Sequence, residues 1–140
     1  MRAAAAVFDA AAASVALVDP TTAELVYDAS WGAGAREIVG VRMPAGTGIA
    51  GAVVASGEAV AVADCRGDAR FASQIAAGTG YVPHTMLAVP LSRGDDHLGA
   101  LSILDRRDGG GFGGEDLAKA QAFAELAVAA LDAAPPSAEG

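Results

Sequence analysis

The stretch that decides the fold covers residues 85–105 and reads TMLAVPLSRGDDHLGALSILD. Its two apolar halves, 85–92 and 97–105, predict strands, and the turn-forming residues 93–96 between them predict a hairpin with a four-residue connection. Strands joined by so short a connection are antiparallel, because parallel strands need a long crossover. Pro90 has no N–H to donate to a neighbouring strand, so we expect an irregularity in the pairing there.

A second hairpin precedes this stretch. Residues 14–19 and 24–31 are β-prone runs on either side of the turn residues Pro20, Thr21 and Thr22. Residues 37–43 (EIVGVRM) alternate between apolar and polar side chains, which predicts a third strand. Residues 60–62 predict one more short strand.

Short helices are expected between the two hairpins. Residues 46–57 predict a helix with Thr47 as N-cap and Gly57 as its left-handed C-terminal residue. Glycines inside this segment lower its helix propensity, so a close approach to a sheet or a ligand is expected. A second short helix is predicted to carry Phe71 and Ile75 on one face, since they are four residues apart.

Longer helices are predicted at both ends of the chain. Alanine dominates the N-terminal segment and loses no side-chain entropy in a helix, so a helix is predicted over about residues 2–13. A second is predicted over about residues 115–134, and residues 135–140 are expected to form a disordered tail. The chain is therefore predicted to form one α+β domain over residues 1–134, with helices packed on a sheet.

Part of the C-terminal helix has a spacing that suits a partner helix. Apolar residues at alternating steps of three and four form a narrow seam, which predicts a homodimer through Leu117, Ala120, Ala124, Ala127 and Leu131. A second stripe is predicted to face the sheet and consists of Phe123, Leu126 and Ala130.

Charge and composition exclude several classes of protein. The net charge of -8 repels a phosphate backbone, so no direct binding to nucleic acid is expected. The apolar runs are too short to span a bilayer, so no membrane contact and a cytoplasmic location are expected. The single cysteine, Cys65, has no partner in the chain for a disulfide and cannot supply a cysteine-based zinc site; no metal site is predicted.

The middle of the chain resembles the GAF family, a class of small-molecule-sensing signalling domains. The similarity is carried in family order by GTGIAG (46–51), SGEAV (56–60), DCRGDARF (64–71), MLAVPL (86–91) and LGAL (98–101). The family's closing motif before the last helix is matched by Phe112, Glu115 and Asp116. The resemblance covers about residues 5 to 132.

This resemblance implies a GAF/PAS-like fold. A central antiparallel sheet of five to six strands would carry the N- and C-terminal helices on one face. Short helices would cover a ligand pocket on the other face, enclosed by residues 46–57 and 64–84.

The glycine pattern of residues 46–51 also occurs in dinucleotide-binding proteins, and Asp64 has roughly the spacing of their acidic residue. That fold requires parallel strands joined by crossovers. The tight hairpins predicted here argue against it.

Several apolar or titratable residues are candidates for lining the pocket: Trp31, Val54, Cys65, Phe71, Tyr81, His84 and Met86. Each is equally a candidate for ordinary packing. His84 lies at a strand mouth, where it is a candidate for ligating haem or binding an anion, or for a partly exposed hydrogen bond.

The resemblance does not identify a cofactor, which remains unknown. Haem-binding relatives place their histidine nearer Gly80 than His84, and bilin-binding relatives attach the chromophore through a cysteine that residues 76–87 lack. Relatives that bind cyclic nucleotides carry an asparagine-lysine pair, a phenylalanine and an aspartate-glutamate pair. Of these, only Phe112 and Asp116 are matched here.

Three functions are consistent with these features. The first is a sensory module that binds a small molecule and signals through a helix-mediated dimer to an output domain such as a kinase, phosphatase or transcription regulator. The second is a ligand-free dimerisation scaffold. The third is a redox enzyme related to the free methionine sulfoxide reductases, which use several cysteines where this chain has only Cys65. We expect no enzymatic activity and no catalytic residue.

Overall fold

A computed structural model of the chain describes residues 1–71 and 81–133. The elements in these two segments are, in chain order, α1 (Arg2–Val7), β1 (Ala10–Val18), β2 (Leu25–Gly32), α2 (Ala35–Ile38), β3 (Arg42–Met43), α3 (Gly48–Ser56), β4 (Val60–Val62), β5 (Met86–Arg93), β6 (Asp96–Arg106) and α4 (Gly114–Ala133). The predicted helix with Phe71 and Ile75 falls mostly outside these residues, as does the predicted tail at 135–140.

The six strands form one sheet in the order β3-β2-β1-β6-β5-β4. Every pairing in this sheet is antiparallel. The predicted α+β fold with an antiparallel sheet of five to six strands is therefore confirmed. Without parallel crossovers in this sheet, the dinucleotide-binding interpretation of residues 46–51 is excluded.

The hairpin of β5 and β6 has a tighter turn than predicted. Arg93 and Asp96 pair with each other, so Gly94 and Asp95 alone form the connection, and the predicted four-residue turn is wrong. Gly94 adopts a φ of 60°, which glycine supplies without strain at the first position of a two-residue hairpin turn. The expected irregularity lies just after Pro90, as a register shift between Leu91 and Ser92.

The N-terminal helix is much shorter than predicted. It ends at Val7, and β1 begins at Ala10 after Asp9, whose φ of 50° turns the chain. The alanines at 10–13 therefore lie in a strand, because β1 pairs with both β2 and β6 in the middle of the sheet. Two ladders of backbone hydrogen bonds outweigh the helix propensity of alanine there.

The predicted third strand over 37–43 is also wrong. Residues Ala35–Ile38 form the short helix α2, and only Arg42–Met43 pair with β2. Gly40 separates the two with a φ of 89°. A run of seven residues that contains a glycine was too short for its alternation to identify a strand.

Helix α3 begins after Thr47 and ends at Gly57, whose φ is 71°, as predicted. The Thr47 hydroxyl makes no capping hydrogen bond in this structure, so its role is limited to the extended backbone before the helix. A Cβ atom added to Gly51 would lie 2.6 Å from the carbonyl carbon of Gly46. The close approach that the glycines predicted is thus made, for Gly51, with the preceding loop.

The sheet separates two apolar clusters. On one face, α1 and α4 cover the side chains of Leu87, Val89, Leu101 and Ile103, among others. On the opposite face, α3 packs over strand residues that include Ala16, Met86, Ala88 and Ala100. The predicted arrangement, with both terminal helices on one face and a short helix on the other, is confirmed.

The predicted dimer seam on α4 is wrong for its central residues. Ala120 and Ala124 are buried against the sheet of their own chain, together with Val128. Leu117 and Ala127 are half-buried at the edges of the same contact, and only Leu131 is exposed. The predicted sheet-facing stripe is right for Phe123, which packs against the core, and wrong for Leu126, which is 70% exposed, and for Ala130, which is exposed. Across the residues described, no helix has both the length and the apolarity needed to cross a bilayer.

Candidate functional site

A cavity of about 70 Å³ lies between α3 and the sheet. Its floor consists of residues from the sheet, on β1, β2, β3, β5 and β6, and its roof is the first turn of α3 together with residues in and before α2. Phe71, Tyr81 and Pro83 close it at one side. The cavity therefore lies on the face away from α1 and α4, where the family resemblance placed it.

Three serines form a row across the floor. Ser14 on β1 pairs with Ser30 on β2 and with Ser102 on β6, so the three side chains leave the sheet side by side on the same face. Residues paired directly across antiparallel strands have their Cβ atoms about 5 Å apart. All three serines line the cavity. We call Ser30, Ser14 and Ser102 the serine row.

Two hydroxyls of the serine row open into the cavity and have no described protein partner. The Ser30 hydroxyl donates to the carbonyl oxygen of Ala13 at 3.3 Å. Ser14 and Ser102 are only 5% and 3% exposed, yet their hydroxyls bond to none of the residues that the structure describes. The cavity is the place from which a partner for these hydroxyls can come.

The rest of the cavity wall is mostly apolar. Ile49 and Ala50 contribute from α3, Met43 from β3, and Met86 and Leu104 from the sheet. Tyr27 adds a phenol, and burial raises the pKa of that group, so it stays protonated at neutral pH. None of the described residues that line the cavity carries a charged side chain.

Asp105 holds together the loop at the edge of the cavity. One of its carboxylate oxygens accepts the backbone N–H groups of His84 and Thr85, both at 2.8 Å, and the other accepts the hydroxyl of Tyr81. Burial alone would raise the pKa of Asp105, but these hydrogen bonds outweigh it and lower the pKa below its ordinary value. The residue is therefore ionised at neutral pH and fixes Tyr81 against the cavity.

The next residue connects the same strand end to α4. Arg106 donates to the carboxylate of Asp116, in the first turn of α4, at 3.2 Å. Asp116 also accepts the backbone N–H of Gly113 at 2.9 Å. Consecutive residues at the end of β6 therefore contact the cavity loop and the start of α4.

Cys65 lies in the apolar cluster beneath α3 and is fully buried. Its backbone N–H donates to the carbonyl oxygen of His84 at 2.8 Å, which ties its loop to the segment before β5. Burial, together with the charges of Asp105, Asp68 and Asp64, raises the pKa of the thiol to about 12. Because the thiolate is the nucleophilic form, these contacts favour a structural role for this cysteine.

The predicted pocket residues divide into two groups. Phe71, Tyr81 and Met86 line the cavity. The other four do not: Trp31 packs on the face covered by α1 and α4, Val54 and Cys65 belong to the apolar cluster around α3, and His84 is exposed. Trp31 and Ser30 are neighbours on a strand and so point to opposite faces. The described residues contain no group of His, Cys, Asp and Glu side chains that could hold a metal ion.

Sequence reasoning missed the most polar part of the site, the serine row and Tyr27. A signal was present, since Ser14 and Ser102 each stand within apolar strand residues at positions that alternation assigns to a buried face. Their alignment into one row depends on the register between three strands, which the sequence of each strand alone does not contain.

Comparison with known proteins agrees with this architecture. The GAF domain family model matches residues 1–131. A cGMP-specific 3',5'-cyclic phosphodiesterase of Drosophila erecta is 33% identical over 99 residues, which cover 70% of this chain and 8% of that protein. The chain thus corresponds to a small part of this curated relative.

Solved structures of low identity share the fold. The GAF domain of a phosphoenolpyruvate-protein phosphotransferase from Coxiella burnetii has a TM-score of 0.76 at 24% identity, covering 88% of this chain and 72% of that one. A free methionine-R-sulfoxide reductase from Neisseria meningitidis has a TM-score of 0.75 at 20% identity, covering 91% and 71%. Together with the match over residues 1–131, the sheet order and the cavity beneath α3 lead to one conclusion: the chain belongs to the GAF domain family.

Proposed function

We propose that this GAF domain is a sensory module that binds a small molecule in the cavity between α3 and the sheet. The observation that carries the proposal is the pair of hydroxyls on the buried residues Ser14 and Ser102, which open into the cavity and have no described protein partner. A bound molecule would supply the missing hydrogen bonds. An apolar wall with a few placed polar groups is the usual character of a small-molecule site.

The contacts of Asp105 and Arg106 suggest how binding is transmitted. A ligand that displaces Tyr81 from the cavity wall would alter its hydrogen bond to Asp105, and Arg106 next to it contacts Asp116 at the start of α4. The free energy for such a shift must come from a difference in ligand affinity between two states of the loop. We expect α4 to carry the change to an output domain, such as a kinase, phosphatase or transcription regulator, in the cytoplasm.

We also propose a homodimer, but its interface cannot include Ala120 and Ala124, which are buried within their own chain. Leu126 is 70% exposed, and Ala122 and Ala129 lie on the same side of α4 and are exposed as well. A partner helix would contact this outer stripe. Leu126→Glu should shift the sedimentation profile from dimer to monomer, and an unchanged profile would exclude this stripe as the interface.

The size of the cavity favours a second function, a scaffold without a ligand. Sites for drug-sized ligands usually have volumes of about 300–1,000 Å³. At about 70 Å³, this cavity leaves room for a molecule of only a few non-hydrogen atoms, unless its walls move. A scaffold would retain only water next to Ser14 and Ser102, whereas a sensor would bind a small organic molecule there.

A redox enzyme based on Cys65 is the least supported function. A nucleophilic thiol needs exposure and a lowered pKa, and Cys65 has neither. We expect iodoacetamide to modify Cys65 in the folded protein no faster than the protein opens. Rapid labelling without unfolding, or thiol-dependent turnover abolished by Cys65→Ala, would restore the enzyme hypothesis.

Native mass spectrometry of the protein purified from its own host tests the sensory function, because it reports bound mass and subunit count together. We expect a small non-covalent adduct that is lost on unfolding and absent after refolding in clean buffer. A spectrum with no adduct, from protein that is folded and freshly purified, would favour the scaffold.

A further inference from the structure

The polarity of the cavity narrows the kind of molecule it accepts, and this inference rests on the proposed sensory function. We infer that the ligand is a small uncharged molecule with a hydrogen-bonding group at one end and an apolar body, which binds with its polar end on the serine row. This assignment follows from the position of the unpartnered hydroxyls, the apolar roof and the absence of charge on the described wall.

The floor of the cavity provides the polar contacts. Ser14 and Ser102 are more than nine-tenths buried, and each hydroxyl can donate one hydrogen bond and accept two. Their pairing on β1 and β6 places them next to each other. A carbonyl, amide or hydroxyl group lying over this pair satisfies both residues at once, and the Tyr27 phenol offers a further donor on the same wall.

The roof of the cavity provides apolar contacts. Ile49 and Ala50 of α3 line the cavity opposite the sheet, and Met43, Phe71 and Met86 add further apolar side chains to its wall. A ligand that is polar at both ends would leave one end without hydrogen bonds against these side chains, which costs free energy. The cavity thus favours a molecule with its polar atoms at one end.

The cavity disfavours both anionic and cationic ligands. No Lys, Arg or His is among the described wall residues to neutralise an anion. The carboxylate of Asp105 behind Tyr81, and the net charge of -8, repel anions further. A cation would find Asp105 already bound to Tyr81, His84 and Thr85. Burial of an unpaired charge costs far more than burial of a neutral group of the same size.

The volume of the cavity limits the size of the ligand. An apolar cavity of about 150 Å³ binds benzene. The cavity here, at about 70 Å³, therefore suits a molecule of a few non-hydrogen atoms. Acetamide, acetate and acetamidinium are suitable probes because they share one shape and differ in charge.

The three methionines of the chain provide a readout with an internal control. Met43 and Met86 line the cavity, whereas Met1 packs on the opposite face of the sheet. In protein labelled with ¹³C at the methionine methyl groups, acetamide should shift the Met43 and Met86 signals and leave Met1 unchanged. Acetate and acetamidinium should bind at least about 10-fold more weakly, because their charge must be desolvated.

Removal of the hydroxyls tests the polar end. Ser14→Ala and Ser102→Ala should each weaken acetamide binding by about 3- to 10-fold, the usual value of one hydrogen bond. Ser92→Ala, which removes a half-buried hydroxyl outside the cavity, should leave binding unchanged. Unfolding curves of the three variants check that each is folded, and the comparison of the three probes on the unaltered protein needs no variant.

The outcomes separate this inference from the proposed function. If acetate or acetamidinium binds as tightly as acetamide, or if both serine variants bind acetamide unchanged, the assigned ligand class is wrong while a sensory cavity is retained. If no probe shifts Met43 or Met86 and the protein from its host carries no adduct, both proposals are overturned.

Discussion

The two faces of the sheet are built from the same strands but filled in opposite ways. The face under α1 and α4 receives Leu87, Leu91, Leu101 and Ile103, all fully buried. The face under α3 receives mainly small or polar residues from the central strands, including the serine row. Large side chains fill the space under the long helix, whereas small ones leave a cavity under the short helix. Strand alternation thus divides the sheet into a filled face and a cavity face.

The largest loss of stability should come from a substitution on the filled face, under α1 and α4. Leu101→Ala should lower the free energy of unfolding by about 2–5 kcal/mol, because it opens a cavity in a fully packed cluster. Leu104→Ala, on a half-buried wall residue of the existing cavity, is the matched control and should cost clearly less. Chemical denaturation measures both, and equal losses would contradict the division into two faces.

A smaller loss of stability is expected from a substitution at the edge of the cavity face. Asp105→Asn keeps the shape of the side chain but removes the charge that accepts hydrogen bonds from Tyr81, His84 and Thr85. We expect a loss of about 1–3 kcal/mol in thermal or chemical unfolding. Asp95→Asn, in the exposed hairpin turn, is the control and should change stability little. Equal effects would mean that Asp105 does not hold the loop.

The acid dependence of stability should report on the same carboxylate. The pKa of Asp105 is lower in the folded chain than its ordinary value of about 3.9. Its contribution is therefore fully present above pH about 4 and is lost as the pH falls through the folded pKa. The difference in unfolding free energy between the unaltered protein and Asp105→Asn should shrink below pH about 4. A difference that is constant down to pH 2 would rule out this contribution.

The smallest change in stability is predicted for substitutions in the serine row. Without a ligand, Ser14→Ala and Ser102→Ala should leave the free energy of unfolding within about 1 kcal/mol of the unaltered protein or raise it, because each removes a cavity-lining hydroxyl that has no described protein partner. Loss of 2 kcal/mol or more in thermal unfolding would show that these hydroxyls stabilise the protein itself, and would weaken the case for a ligand.

Most of the fold was predictable because local patterns and overall architecture agree. The two apolar runs within residues 85–105 and the glycine that ends α3 identified elements that the structure retains. Predictions failed where the position in the sheet decides the outcome. Alanines 10–13 have the propensity of a helix but occupy a central strand, and the apolar spacing along α4 did not reveal which stripe faces the sheet.

The candidate site was less predictable than the fold. Phe71, Tyr81 and Met86 were found because the family resemblance located their segments. Trp31 was assigned to the cavity, but its side chain points to the opposite face from that of its neighbour Ser30. Ser14 and Ser102 were missed because the sequence of one strand does not show which serines are paired across strands. Their importance arises only when strand register brings them together over a cavity.

The central claim is that a ligand occupies the cavity beneath α3. The most direct test compares the ¹³C methyl signals of the methionines in protein purified from its own host with those of the same protein refolded in clean buffer. We predict that Met43 and Met86 differ between the two samples while Met1 does not. Identical spectra from two folded samples would contradict the claim.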